Sequence, residues 1–313
     1  MVKDITKPVS LKEKYKTSNW SQYNSSLIKR GSLTIWFEEN TKDNWPFTGS
    51  QKPGGKKIYS DLAIEFCLTI RSLFRLPYRQ TEGMVTSLMQ LASLDLPVPC
   101  YTQFNRRTKH IDVSLNNSNE AIHIAIDSTG LKVYGEGEWV VRKYGWSKVR
   151  TWRKLHLAIN VETLAIEAAT LTGNEVDDAS QVAPLLKATN GKVVSFRGDG
   201  AYDKKKVRKV LWTNGIEQII PPKQQAAIEN KPYARERNVA IERIRKSDID
   251  TWKNETGYHK RSLAEVSMYR YKTIFTGTLQ SRKIEYEQKE VTFKCKLLNR
   301  MVGMGMPRSY KWV

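Results

Sequence analysis

Between positions 119 and 220 the apolar residues first show three strand-like patterns and then helix-like and strand-like patterns in turn. This order limits the possible folds more than any other feature. Apolar residues alternate over 121–127, where three isoleucines share one face, and again over 155–159. A third apolar stretch covers 165–171 after a short link. Alternation with period two predicts strands, and a short link predicts antiparallel pairing. The sequence therefore predicts a meander of three antiparallel strands.

Two units of helix and strand follow this meander. We predict a helix near 177–187, a strand at 192–199, a helix at 204–213 capped by Asp203, and a strand at 216–220. Helical crossovers join the later strands, so the order is β-β-β-α-β-α-β, which is that of a ribonuclease H-like sheet. The predicted fold is therefore α/β, with a ribonuclease H-like mixed five-stranded sheet flanked by helices and a mainly α-helical N-terminal region.

The chain is strongly basic, with 52 Lys and Arg residues against 32 Asp and Glu and a net charge of +20. Neutralisation of phosphates dominates affinity for nucleic acids, so this excess favours a nucleic-acid partner over a merely basic protein. No run approaches the roughly 18 apolar residues that span a bilayer, and the N-terminus lacks a signal-peptide core. We expect a cytoplasmic protein with no membrane partner.

The number and spacing of the cysteines and histidines argue against a disulfide framework and against a metal site built from these residues. Cys67, Cys100 and Cys295 are too few and too scattered for a disulfide framework or a zinc site, and we expect buried free thiols. The four histidines show no spacing typical of metal ligands. Any metal must therefore be held by oxygen ligands.

The residues before the meander are mainly helical in pattern. We predict a helical DNA-binding region at 1–118 and a catalytic domain at 119–313, with a short polar helical insertion at about 222–252 and C-terminal helices. Two helical runs, a break at Pro97–Pro99 and a short basic segment resemble a helix-turn-helix, in which Arg106, Arg107 and Lys109 would contact DNA. Helix pairs with a basic end are also common in all-α packing, so both interpretations stay open.

Three carboxylates occupy special places in this layout. Asp127 ends the first predicted strand on the face opposite its isoleucines, and Asp199 ends the fourth strand between two glycines that leave room for a close approach. Strands one and four are neighbours in a ribonuclease H-like sheet, so these acids should be adjacent. Glu265 follows in a stripe with Tyr258, Arg261 and Lys272, at spacings that place all four on one side of a helix.

Clustered acids raise one another's pKa values unless a cation lies between them. Mg²⁺ prefers oxygen ligands, and paired ions of this kind assist phosphodiester displacement. The acids therefore predict metal-assisted cleavage and transfer of phosphodiester bonds, with Mg²⁺ as cofactor and Mn²⁺ as a substitute. Taken singly, each has an ordinary explanation: a strand-terminal Asp caps turns, and Glu265 can pair with Arg261.

The chain resembles bacterial insertion-sequence transposases of the DDE class, in the group marked by the motif Y-x2-R-x3-E-x6-K. Tyr258, Arg261, Glu265 and Lys272 match this motif without a gap, and 126–130 and 198–203 resemble the two Asp motifs of the family. The resemblance also covers 23–37, 152–156 and 298–307.

This resemblance implies an enzyme that cuts at the terminal inverted repeats of its own element and joins the freed 3′-OH ends to target DNA. It implies that the three acids hold the metals, that Arg261 and Lys272 contact phosphates, and that Tyr258 bonds or stacks near the scissile end. It further implies a homodimer on DNA and, in a bacterium, a nucleoid-associated location.

A second basic stretch lies between the first two strands, where cations alternate with aromatic residues. Such a stretch suits phosphate contact with base stacking, and a hairpin whose Trp residues pack on the sheet is an equal alternative. The predicted DNA contacts here are Arg142, Lys143, Trp146, Lys148, Arg150 and Arg153. We interpret 203–209 as a solvated helix face and Asp177–Asp178 as a helix start.

Two rival functions stay open on the sequence alone. A nuclease on the same fold would hydrolyse DNA without strand transfer, since fold does not determine outcome. A catalytically silent DNA-binding protein derived from a transposable element would keep the fold without the chemistry, although the presence of all three acids argues against it.

Overall fold

In the computed structural model of the protein, residues 14–33, 41–51, 56–115, 120–133 and 152–312 are described. Their central sheet has the strand order β4-β3-β2-β5-β6, and a short β7 pairs with the far end of β2. The strands are β2 (Ala121–Val133), β3 (Trp152–Asn160), β4 (Ile166–Gly173), β5 (Lys192–Arg197), β6 (Glu217–Ile219) and β7 (Thr278–Leu279).

The pairing directions confirm the ribonuclease H-like prediction. Strands β2, β3 and β4 pair antiparallel, whereas β5 pairs parallel with β2, and β6 parallel with β5. The first and fourth predicted strands are therefore neighbours. Within the described residues the sheet has six strands, because β7 adds to the five that were predicted.

The predicted end of the first strand at Asp127 is wrong. β2 continues to Val133, since pairing with β3 persists as far as Lys132 opposite Trp152, and Lys132 and Val133 also pair with β7. The polar sequence after Asp127 contains a glycine and a serine and gives no strand signal by itself. Its extended conformation is fixed by the neighbouring strands.

Helices flank the sheet on both faces. In the described part of the chain they are α1 (Trp20–Arg30), α2 (Asp61–Phe74), α3 (Tyr78–Leu91), α4 (Tyr101–Thr108), α5 (Val182–Ala188), α6 (Lys205–Thr213), α7 (Arg235–Lys246), α8 (Ile249–Glu255), α9 (Ser262–Phe275) and α10 (Ile284–Gly303). Ser60 caps α2 by accepting a hydrogen bond from the backbone N–H of Ala63. The helix α1 was not predicted, because its sequence is mostly polar.

Two apolar cores lie on opposite faces of the sheet. On one face, β2 and β5 pack residues such as Ile124 and Phe196 against α5 and α6. On the other face, Ala125 and Leu131 share a core with α2–α4, α9 and α10. This second core is continuous across the predicted domain boundary at residue 118, and the buried Trp45 anchors the segment before α2 to it through a hydrogen bond to the carbonyl of Pro97.

The two ends of the described chain meet. β1 (Lys14–Thr17) pairs antiparallel with β8 (Ser309–Trp312) in a separate two-stranded sheet. Cys67 and Cys295 are buried free thiols as predicted, whereas Cys100 is exposed, so the prediction of burial is wrong for it. Among the helices described, none combines the length and apolarity that a bilayer crossing requires.

Candidate active site

Asp127 lies on β2, and Asp199 lies just beyond the end of the neighbouring parallel strand β5. Ala125 of β2 is level with Arg197, the last residue of β5. Asp127 lies two residues further along β2, and Asp199 follows the end of β5 by two residues. Side chains two residues apart share a face, and adjacent strands are about 4.8 Å apart. The Asp127 carboxylate therefore lies on the α9 face of the sheet, at the level where β5 ends, and Asp199 is close enough for its charge to act on it.

Local backbone groups hold both carboxylates. The backbone N–H of Ser128 donates to Oδ1 of Asp127 at 2.8 Å. Asp199 caps the 3₁₀ turn Gly200–Tyr202 by accepting from the N–H of Ala201 at 2.8 Å. Each acid is thus oriented before any ligand binds.

Glu265 lies in the first turn of α9, which packs across the sheet. Ala264, Met268, Tyr271 and Phe275 are buried at spacings of four, three and four residues and form the inward stripe of this helix. Glu265 follows Ala264 directly, so its side chain, 54 % exposed, emerges at the margin of the packed face.

Arg261 joins two of the three acids. Its guanidinium Nη2 donates to Oε1 of Glu265 at 2.5 Å, and its Nη1 lies 3.6 Å from Oδ2 of Asp127. Burial lowers the pKa of Arg261, but the hydrogen bond to Glu265 and the charges of Tyr258, Glu265 and Asp127 together outweigh burial, so the pKa is raised. The guanidinium is therefore a fixed cation between Asp127 and Glu265.

The pKa of Asp127 is raised above its ordinary value, mainly because the carboxyl is largely buried. The Ser128 N–H and the charge of Arg261 oppose this rise, and the charges of Asp199 and Glu265 add to it. The charges of Asp199 and Glu265 therefore both act on Asp127.

The donor set fits a hard divalent cation. Asp127, Asp199 and Glu265 present carboxylate oxygens only, which Mg²⁺ prefers, and their mutual repulsion favours a cation among them. Among the residues described, no three His, Cys, Asp or Glu side chains are close enough to hold a metal ion. Between Asp127 and Glu265, the positively charged guanidinium of Arg261 occupies the position that a metal ion would take.

Tyr258 lies beside this site, although the predicted single helical stripe is wrong. Tyr258–Arg261 form a 3₁₀ turn that leads into α9, because Gly257 adopts φ 62° and separates the turn from α8. The Tyr258 ring packs against Trp252 at 5.8 Å. Burial raises the pKa of Tyr258, and among the nearby groups the charge of Asp199 adds to the rise.

Lys272 follows Glu265 by seven residues on the same side of α9 and is half-buried. It therefore lies on the face of the helix that carries the acid.

Tyr202 is a buried residue beside the segment of Asp199, and it was not singled out from the sequence. It is 2 % exposed and packs edge-on against Phe196 at 6.0 Å. Burial, followed by the negative charge of Asp127, raises the pKa of Tyr202. The sequence signal that could have indicated it is its position three residues after Asp199, within the segment 198–203.

Gly198 is needed for this packing. A Cβ at Gly198 would lie 2.9 Å from the Phe196 ring and 3.0 Å from the Tyr202 ring. We expected the small residues around Asp199 to leave room for backbone or substrate. At Gly198 the space is occupied by these two rings instead.

Asp203 does not cap a helix as predicted, since the N-cap of α6 is Lys204. Its buried carboxylate pairs with Arg208 at 2.6 Å and Arg237 at 3.1 Å, and accepts from the backbone N–H of Lys223 at 3.0 Å. Arg208 is 2 % exposed, so the interpretation of 203–209 as an entirely solvated face is wrong. This network connects the Asp199 segment to α7.

Asp177 and Asp178 lie at the start of a 3₁₀ turn (Asp178–Gln181), in agreement with the predicted helix start. Asp178 accepts hydrogen bonds from Ser128 at 2.8 Å and Lys154 at 3.1 Å. Hydrogen bonds from two lysines of the 203–209 segment lower the pKa of Asp177 to about 2.

The predicted DNA contacts outside the acid site differ in their surroundings: some are exposed, and others are paired with acids. Arg106 and Lys109 are exposed on and just after α4, whereas Arg107 bonds to Asp61 and the carbonyl of Tyr59. Arg153 pairs with the buried Glu287 at 2.8 Å. Arg142, Lys143, Trp146, Lys148 and Arg150 lie outside the described residues. DNA contact by all of these residues stays a prediction.

Comparison with protein families gives two matches. Residues 118–300 match a family described as "Transposase DDE domain", and residues 28–136 match a second model with the same description.

Solved structures show weaker likeness. The "Drosophila P element transposase strand transfer complex" is 11 % identical over 90 % of this chain and 86 % of that chain, with a TM-score of 0.29. The "Crystal structure of the Mos1 Strand Transfer Complex" is 13 % identical over 82 % of each chain, with a TM-score of 0.21. A simian T-cell lymphotropic virus intasome complex is 12 % identical over 71 % of this chain and 74 % of that chain, with a TM-score of 0.24. These likenesses add nothing to the family match.

Proposed function

The chain belongs to the transposase DDE domain family, and from this membership we propose that Asp127, Asp199 and Glu265 are the acids with which this DNA transposase cleaves and joins DNA. Activity of this family depends on divalent metal ions, and we propose Mg²⁺, for which Mn²⁺ can substitute. The proposal is supported by the guanidinium of Arg261, which lies between Asp127 and Glu265 in a position suited to a cation.

Each proposed role follows from the position of the side chain. Asp127 would hold the metal from β2, Asp199 from the segment that follows β5, and Glu265 would complete the set from α9. When bound, the metal supplies Lewis-acid activation of the attacking and leaving oxygens.

Arg261 and Lys272 are proposed to bind the DNA phosphates next to the cut. For Arg261 this requires release of the two acids, so DNA binding and opening of the carboxylate site would be coupled. Tyr258, held against Trp252 beside Asp199, would orient the scissile end.

The substrate is proposed to be double-stranded DNA carrying the terminal inverted repeats of the element, together with target DNA that receives the 3′-OH ends. A homodimer on DNA would hold two ends together. In a bacterial cell the protein would act in the cytoplasm at the nucleoid. We also propose that 1–118 contributes DNA binding and 119–313 catalysis, with the insertion at about 222–252 supporting Tyr258.

A strand-transfer assay tests this function. Duplexes made from the DNA that flanks the reading frame, pre-cut to expose 3′-OH ends, are incubated with the full chain, Mg²⁺ or Mn²⁺, and a supercoiled target. We expect joined products that depend on the metal. Hydrolysis without joining would indicate a nuclease, and binding without nicking in either metal would indicate a catalytically silent DNA-binding protein.

A further inference from the structure

The small sheet formed by β1 and β8 is open to solvent on both faces. All four residues of β8 are exposed, and Tyr15 of β1 is 62 % exposed. A two-stranded sheet without a buried face is only marginally stable in water. Its position outside both apolar cores indicates a role other than packing the described core.

The sheet is nevertheless firmly attached at its base. Ser18 donates its backbone N–H to the carbonyl of Arg308 at 2.7 Å, and Asn19 donates its side-chain amide to the carbonyl of Met306 at 3.0 Å. Arg30, at the end of α1, donates to the carbonyl of Gly305 at 2.6 Å. Residues 14–33 and 304–312 therefore form one unit, which we call the terminal module.

The terminal module is entirely free of acidic residues. Its two segments contain no Asp or Glu, although the whole chain has 32. Its cations are Lys14, Lys16, Lys29, Arg30, Arg308 and Lys311. A surface with this composition attracts a polyanion and repels another copy of itself.

Strand pairing combines cations with aromatic rings on both faces of the sheet. Lys16 is paired with Tyr310, and its Nζ lies 3.5 Å from the centre of the Trp312 ring. On the other face Tyr15 is paired with Lys311. Lysines bind phosphates, and neighbouring aromatic rings pack on sugars and bases, so this combination suits DNA.

A second observation points to an anion at the base of the module. The Nε of Arg30 and the Nη2 of Arg270 are buried, and neither has a hydrogen-bond partner in the described part of the chain. Burial, followed by the positive charge of Arg30, lowers the pKa of Arg270. The two neighbouring guanidiniums add positive charge at the base of the module, whose own residues include no acid to offset it. Arg270 lies on α9, the helix that carries Glu265.

We propose that the terminal module is a DNA-contacting surface outside the acid site, which binds the phosphate backbone of the duplex through the β1–β8 sheet and Arg30. The proposal rests on DNA being the substrate, as argued above. It differs from the predicted helix-turn-helix contact, because it requires the C-terminal strand β8 as well as the N-terminal segment.

The first experiment measures binding of a fluorescent duplex to the full chain by anisotropy at several salt concentrations. The double variant Lys16→Ala/Lys311→Ala should bind about tenfold more weakly, and its slope of log affinity against log salt should be shallower by about 2, since each phosphate contact contributes about 0.9. Lys16→Arg/Lys311→Arg should bind like the unmodified protein, which separates loss of charge from loss of fold.

The matched control is Lys187→Ala/Lys192→Ala. These two lysines are exposed, and Lys192 starts β5 at the end opposite Asp199. The control should keep the affinity and slope of the unmodified protein. Equal affinity and slope for Lys16→Ala/Lys311→Ala and the unmodified protein would overturn the proposal.

A second experiment needs no substitution. Lysine acetylation, read by mass spectrometry, should be slowed by saturating duplex at Lys16 and Lys311 and unchanged at Lys187 and Lys192. Unprotected module lysines in a protein that binds and cleaves DNA would overturn this proposal and leave the proposed function intact. A protein that binds no duplex at all would overturn both.

Two further measurements test whether the terminal module binds a partner other than DNA. Binding of the module to phosphatidylserine vesicles, without protection by DNA, would overturn the proposal in favour of a lipid surface. Loss of a dimer in Lys16→Ala/Lys311→Ala, with unchanged DNA affinity, would overturn it in favour of a second copy of the chain.

Discussion

The guanidinium of Arg261 donates a hydrogen bond to Glu265 at 2.5 Å while lying 3.6 Å from the carboxylate of Asp127. One side chain thus satisfies two acids that come from different elements, a strand and a helix. A divalent ion and this guanidinium would bind the same oxygens, so they should compete. This relationship makes the state of Arg261 measurable apart from catalysis.

Replacing Arg261 by Ala should therefore strengthen metal binding in the absence of DNA. Removal of a positive charge this close to two carboxylates should tighten Mn²⁺ binding about tenfold, because the metal no longer displaces an ion pair. Titration of Mn²⁺ followed by electron paramagnetic resonance measures this affinity directly. Arg261→Lys keeps the charge and should lie between the two. Weaker Mn²⁺ binding by Arg261→Ala would contradict the competition.

Neutralising any one of the acids should remove chemistry and leave DNA binding. Asp127→Asn, Asp199→Asn and Glu265→Gln should each lower cleavage and strand transfer by about 10³-fold, since metal activation contributes several kcal/mol to the reaction. Duplex affinity should be equal or slightly higher, because an acid that faces phosphate is lost. Gel assays of nicking and joining measure the first effect, and anisotropy measures the second.

The control for the acids is Asp250→Asn, which affects an exposed carboxylate on α8 paired with Lys253. It should cleave DNA like the unmodified protein. Full activity in any of the three acid variants would remove that residue from the proposed set.

Much of the sheet could be predicted because its signals are local. The isoleucine alternation in β2 and the apolar run of β5 determine which faces are buried, and neighbouring strands then bring Asp127 and Asp199 together. Glu265 could be assigned to a helix because Arg261, Glu265 and Lys272 follow one another at steps of four and seven residues, which is helical spacing. Each of these patterns is complete within one element.

The remainder could not be predicted because it depends on residues far apart in sequence. Asp203 looks like a helix cap until Arg237 is brought to it from α7, and Arg208 looks solvated until the same contact buries it. The extension of β2 depends on β3 and β7, and the terminal module joins segments from the two ends of the described chain. No local pattern in the sequence carries information of this kind.

The network around Asp203 should be important for stability. Asp203→Asn would leave the guanidinium of Arg208 buried without a full counter-charge, and breaking one side of such a pair costs about 3–5 kcal/mol. Urea denaturation followed by tryptophan fluorescence measures the loss. Asp250→Asn, whose ion pair is exposed, should leave the urea midpoint nearly unchanged. Similar midpoints for the two variants would show that Arg208 is compensated by other groups.

His156 should make the stability of the protein depend on pH. Its imidazole is fully buried on β3, bonded through Nε2 to Thr172 at 2.9 Å, and burial lowers its pKa from 6.5 to about 4, with the charge of Asp178 opposing the fall. Between pH 6.5 and about pH 4, His156 is protonated in the unfolded chain and neutral in the folded protein. The contribution of His156 to the free energy of unfolding is therefore fully present above pH 6.5 and is lost as the pH falls toward 4.

The size of this effect at pH 5 should be about 2 kcal/mol, given 1.36 kcal/mol per pKa unit. His156→Gln can keep the hydrogen bond to Thr172 but cannot take up a proton, so it removes this component and leaves those of the carboxylates. Urea denaturation of both proteins at pH 7.5, 6 and 5 should show the unmodified protein losing more stability than the variant. Because all other titrating groups are shared, parallel curves would mean that His156 is protonated in the folded protein near its ordinary pKa, and that burial does not exclude the charged imidazole.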